Sequence, residues 1–103
     1  QGLVRLGRYL NDDRYTQAGL TTLRTLLDEP YLSTSDDHEG LLLHSIYHRP
    51  FGWDHIPTDS KIPRGEACMW GDYHLREAAL HVQRIAKDEP DYTFFDCVGG
   101  GRA

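Results

Sequence analysis

The 103-residue chain is poor in basic charge, cysteine and long apolar runs. Eleven Lys and Arg stand against sixteen Asp and Glu, a net charge of −5 with the histidines neutral. Such a surface is ill suited to nucleic acid or to an anionic bilayer, so neither is expected as a partner. No apolar stretch approaches the ~20 residues of a membrane span. The two cysteines, Cys68 and Cys97, are too few for a disulfide framework and too far apart for a zinc ribbon. They read as free thiols, which suits a reducing, cytoplasmic setting. There is no internal repeat, no low-complexity run beyond Gly99-Gly100-Gly101, and no signal peptide. The chain opens at Gln1 in what already reads as helix, so further residues of the gene product are expected to precede it.

Local catalytic and metal motifs are also missing. His44 and His48 are spaced i, i+4 with His55 nearby, a zinc spacing on a helix. The segment reads as strand or loop and lacks an HExxH pattern, so no metal or other cofactor is expected. The acidic pairs Asp12-Asp13, Asp28-Glu29, Asp36-Asp37 and Asp88-Glu89 fall at helix ends and turns. Adjacent carboxylates cannot face one another across a sugar, and caps and solvated faces account for them. No Ser/His/Asp or Cys/His arrangement is marked.

What is present is helical periodicity. Leu3, Leu6 and Leu10 fall on one face of a helix over residues 1–10. Asn11-Asp12-Asp13 stops that helix and supplies a cap for the next. Residues 14–28 place Leu20, Leu23 and Leu27 on one stripe, with Ala18 and Leu26 beside it, before Pro30. Residues 1–30 therefore read as an antiparallel helical hairpin. A loop over 31–71 follows, with Leu41–His48 as its one candidate strand. Gly71 then turns the chain, and Asp72 reads as the N-cap of a last helix over 72–88. Leu75, Ala79, Val82 and Ala86 form its apolar face, and residues 91–103 form a tail. The expected class is all-α, with a core thin enough to suggest one part of a larger helical body.

A loop of some forty residues is uncommon in a compact domain unless it is functional or disordered. This one carries Tyr47, Phe51, Trp53, Met69 and Trp70, residues ordinarily buried or stacked. Within it His48, Arg49, Phe51 and Trp53 combine flat aromatic surface with positive or hydrogen-bonding groups. Aromatic faces take the apolar faces of sugar rings, and arginine pairs with carboxylate in a fork. Two readings of the cluster stand: the rings anchor the loop to the body, or the four residues bind substrate.

Residues 43–80 resemble the C-terminal part of the unsaturated glucuronyl hydrolases, glycoside hydrolase family 88. The carrying residues are His44-Ser45-Ile46-Tyr47, then Glu66, then Trp70-Gly71-Asp72-Tyr73 and Glu77-Ala78. They follow the pattern H-x-x-Y, a variable loop, and W-G-D-Y-x-x-x-E-A. The resemblance implies the C-terminal fragment of an (α/α)6 barrel and a loop reaching the cavity mouth. It implies an enzyme that releases a Δ4,5-unsaturated uronic acid from lyase-generated oligosaccharides by hydrating the C4=C5 bond. An aspartic acid protonates C4, water adds at C5, and the hemiketal opens. The family's two catalytic aspartates lie upstream, so no catalytic residue is assigned here and the chain alone is expected to be inactive. Some relatives follow the Tyr with Ser-x-x-Ser-x-Lys, which recognises sulfate; those positions here are His48, Phe51 and Trp53, which suit stacking better. The alternatives are the neighbouring unsaturated rhamnogalacturonyl hydrolases, against which the Trp-Gly-Asp-Tyr block argues, and a non-catalytic helical interaction module.

Overall fold

The computed structural model describes residues 1–46, 49–53, 56–61 and 67–92. These hold three α-helices, a single 3-10 turn and no strand, an all-α structure. Helix α1 spans Gly2–Leu10, α2 spans Asp13–Leu26 and α3 spans Met69–Ala86.

The turn between α1 and α2 finishes one helix and starts the next within two residues. Asn11 adopts a left-handed conformation (φ 54°, ψ 46°). Its amide donates to the Arg8 carbonyl at 3.3 Å, and the Asp12 amide to the Gly7 carbonyl at 2.8 Å. This is a Schellman closure, with asparagine in the position glycine most often takes. Asp12 then caps α2, its carboxylate accepting from the Arg14 amide at 3.0 Å and from the Arg14 guanidinium at 2.7 Å. Those two contacts hold the Asp12 carboxyl below its ordinary range.

The hairpin seam is not the leucine stripe of α1. Val4 and Gly7 are the buried residues of α1, and Gly19 and Leu23 those of α2; Val4 faces Gly19 and Gly7 faces Thr16. The glycines set the approach. A Cβ on Gly7 would collide with the Thr16 hydroxyl and lie 2.5 Å from the Thr16 amide nitrogen. One on Gly19 would lie 2.7 Å from Val4 Cγ2. Leu3, whose Cβ borders Gly19, and Leu6 and Leu10 stay more than two-fifths exposed. Among the described residues only Val4, Leu23 and Leu75 are buried hydrophobics, so the core is as thin as the length implies.

The expected strand over Leu41–His48 is not formed among the described residues. Leu42 makes one isolated antiparallel bridge with Leu32, through Ser33 N–H to Leu41 O at 2.8 Å and Leu43 N–H to Tyr31 O at 2.7 Å. The next residue, His44, has φ 62°, a backbone turn that ends any ladder. The last helix starts at Met69, three residues before Asp72. Its N-cap is Cys68, extended at φ −134° and ψ 155°, whose Sγ accepts from the Gly71 amide at 3.4 Å. None of the described helices is long and apolar enough to cross a membrane.

Candidate functional site

Asp72 joins the loop to the last helix. Lying inside the first turn of α3, it is past the position where a side chain caps its own helix. Its carboxylate projects sideways instead. Oδ2 accepts from the Leu41 amide at 3.0 Å and Oδ1 from the Leu42 amide at 2.8 Å. The expectation that Asp72 is an N-cap is therefore corrected: the cap is Cys68, and Asp72 clamps two successive amides thirty residues upstream. Gly71 makes room for this contact, since a Cβ there would lie 3.1 Å from Ser45 Oγ and 3.6 Å from Leu42 Cδ2. His44 is held beside the clamp, its ring edge-on to Tyr31 with centroids 6.0 Å apart.

The aromatic loop lies downstream of the clamp. Arg49–Phe51 form the 3-10 turn, and Gly52 follows with φ 64°. That left-handed step, cheap only for glycine, brings Phe51 and Trp53 to the same side. Their rings stack with centroids 5.0 Å apart and planes inclined by 23°. Phe51 is 65% exposed and Trp53 59% exposed, so the pair keeps broad apolar surface facing outward. Of the four expected binding residues, then, two are brought together as a stacked pair. Arg49 opens the turn beside them, and His48 lies outside the described residues.

A second feature was not foreseen from sequence. Met69, Tyr73, Arg76 and Leu80 form one stripe along α3, at i, i+4, i+7 and i+11. With Arg5 of α1 and Tyr92 they line an open groove of about 1210 Å³. The groove joins the clamp, because Leu41 and Asp72 also border it. In the orientation that satisfies both ends, the Gln1 side-chain amide donates to Glu77 and accepts from Arg5 at 3.0 Å, which ties α1 to α3 along one edge. The alternation of aromatic, thioether and guanidinium on a single helical face was the available signal. It is easily taken for an ordinary solvated face.

The chain matches no family model, no curated protein and no solved structure. Its chemistry is therefore judged from its own residues. Among the described residues no group of three His, Cys, Asp or Glu is arranged to hold a metal ion. The described residues offer a stacked aromatic surface and a mixed-charge groove.

Proposed function

We propose that this chain is the C-terminal part of an (α/α)6-barrel glycoside hydrolase, acting in the cytoplasm to release Δ4,5-unsaturated uronic acid from lyase-generated oligosaccharides. One observation carries the reading. Asp72 of the Trp-Gly-Asp-Tyr block is bonded to the Leu41 and Leu42 amides, just ahead of the His-x-x-Y stretch, and a Cβ on Gly71 would lie 3.1 Å from Ser45 Oγ within that stretch. Two motifs far apart in sequence thus lie side by side. The outward leucines of α1 also suit a helix meant to pack against further hairpins.

In this reading the chain supplies binding, and the hydration step belongs to carboxyl groups upstream. The stacked Phe51–Trp53 pair takes the apolar face of the sugar beyond the unsaturated ring, and Arg49 and His48 serve polar groups beside it. A contact so far from the reacting carbons holds substrate and transition state alike, so it governs KM more than kcat.

The test is a parent polypeptide carrying this chain and its upstream sequence, assayed on an unsaturated disaccharide by loss of the ultraviolet absorbance of the double bond. Turnover is expected from the parent and none from residues 1–103. Trp53→Ala should raise KM several-fold with kcat nearly unchanged, since one aromatic contact is worth about 1 kcal/mol. A simple unsaturated glycoside lacking the second sugar should be affected less. A parent that is inactive on every unsaturated substrate would overturn the enzyme reading in favour of the interaction module. Unchanged kinetics for Trp53→Ala would show that the rings only anchor their loop.

A further inference from the structure

The groove along α3 is lined by apolar side chains and by charges of both signs. Met69, Tyr73 and Leu80 of α3 and Tyr92 supply its apolar wall, and Met69, Tyr73 and Tyr92 are each more than half exposed. Contiguous apolar surface rimmed by polar groups marks a place of binding. Arg84 holds Tyr92 in position. Its Nε and Nη2 donate to the Pro90 carbonyl at 2.9 and 2.7 Å, its Nη1 pairs with Glu89 at 3.1 Å, and its guanidinium lies 4.0 Å over the Tyr92 ring. At about 1210 Å³ the groove exceeds the ~300–1,000 Å³ of common small-molecule sites, a size that suits a short peptide.

Most of the charges that line the groove are already engaged. Asp72 accepts from the Leu41 and Leu42 amides, one with each oxygen. Glu77 accepts from the Gln1 side-chain amide, whose oxygen accepts from Arg5 at 3.0 Å. Glu77 also lies 3.7 Å from His74 Nδ1. Two lining charges are left over. Arg76 of α3 and Glu39 of the loop have neither a hydrogen bond nor an ion pair, with each other or with any other described residue. Both are exposed. One free cation and one free anion, carried by different elements, thus border the same apolar wall. A ligand of a single sign is attracted by one and repelled by the other, whereas a ligand with a charge of each sign meets both.

We propose that the groove binds a short apolar peptide with free ends, its terminal carboxylate on Arg76, its terminal ammonium against Glu39, and its side chains over Met69, Tyr73 and Leu80. The guanidinium takes a carboxylate in a two-pronged fork, which fixes the orientation of the peptide. The spacing suits such a ligand. The bond from the Leu41 amide to Asp72 holds the loop against the first turn of α3. Arg76 follows Asp72 by one helical turn, about 6 Å along the axis, and Glu39 precedes Leu41 by at most about 7 Å of chain. The two long side chains bring their charged ends within reach of a dipeptide, which itself spans about 7 Å when extended. The site does not depend on the glycosidase reading, and its test uses no sugar.

The test titrates the 103-residue chain with the dipeptide phenylalanylleucine, with its N-acetylated form and with its C-terminal amide, followed by amide chemical shifts. The free dipeptide should bind saturably and move the Tyr73, Arg76 and Leu80 signals. Each blocked form should bind about two- to fivefold more weakly, the range of one exposed ion pair. Arg76→Gln should abolish the difference between free and amidated peptide and keep that between free and acetylated. Glu39→Gln should do the reverse. Both side chains are exposed, so the variants keep the fold, and unchanged shifts away from the groove verify it. No saturable binding, blocked forms that bind as well as the free dipeptide, or differences that survive both substitutions would overturn the assignment.

Discussion

Asp72→Ala is expected to detach the loop from α3 at a cost of about 2–4 kcal/mol, because hydrogen bonds to a charged acceptor contribute about 1.5–3 kcal/mol each. Two such bonds are lost, to the Leu41 and Leu42 amides. The Leu41 amide is exposed and recovers water, whereas the Leu42 amide is part-buried, which keeps the total below the simple sum. Asp72→Asn retains one accepting oxygen and should fall between. Denaturant unfolding gives the magnitude, and amide exchange gives the place. Exchange at Leu41 and Leu42 should accelerate while the first turn of α3 keeps its protection under the Cys68 cap. Acceleration confined to the first turn of α3 would restore the capping role to Asp72. The same substitution should loosen the Phe51–Trp53 pair, since the clamp sets where the loop leaves the helix.

The second large effect belongs to the hairpin. Gly7→Ala should destabilise by about 1–3 kcal/mol, the range for overpacking, even though alanine is the better helix former by roughly 0.5–1 kcal/mol. The added methyl has nowhere to go. It meets the Thr16 hydroxyl, and the Thr16 amide nitrogen at 2.5 Å belongs to backbone that cannot swing aside. Helix α2 must retreat, and Val4 loses its close approach to Gly19. Gly2→Ala is the control, because nothing lies within 4 Å of a Cβ there. It should leave stability unchanged or raise it slightly. Equal effects of the two substitutions on thermal unfolding would show that the seam does not depend on glycine.

Much of this was legible in the residues. The hairpin, its stop at Asn11, its cap at Asp12 and the all-α class follow from 3.6-residue periodicity and from polar residues that satisfy free amides locally. Those signals act over a few residues, so sequence order carries them. The stretch Leu41–His48 misled because an apolar run satisfies strand and irregular segment equally until a partner ladder is present. Here the bridge stops at one pair, and His44 turns away.

What the sequence by itself determined is the set of helices, the acidic balance of the chain, its lack of an apolar run long enough for a membrane-spanning helix, and the aromatic content of its loop. Only the tertiary structure decided which faces meet. Leu3, Leu6 and Leu10 look like the packing stripe, yet the seam formed at Val4 and Gly7, because two glycines let backbones approach closer than leucines allow. Asp72 looks like a cap, yet its carboxylate went to Leu41 and Leu42. His81 reads as a polar position, yet it is the most deeply buried titratable group described, with the Asp91 carboxylate 3.8 Å away just past the Arg84–Pro90 contact. In each case the deciding partner is distant in sequence or hidden in backbone geometry. Contacts of that kind depend on which surfaces exclude water together, and no local pattern of residues encodes them.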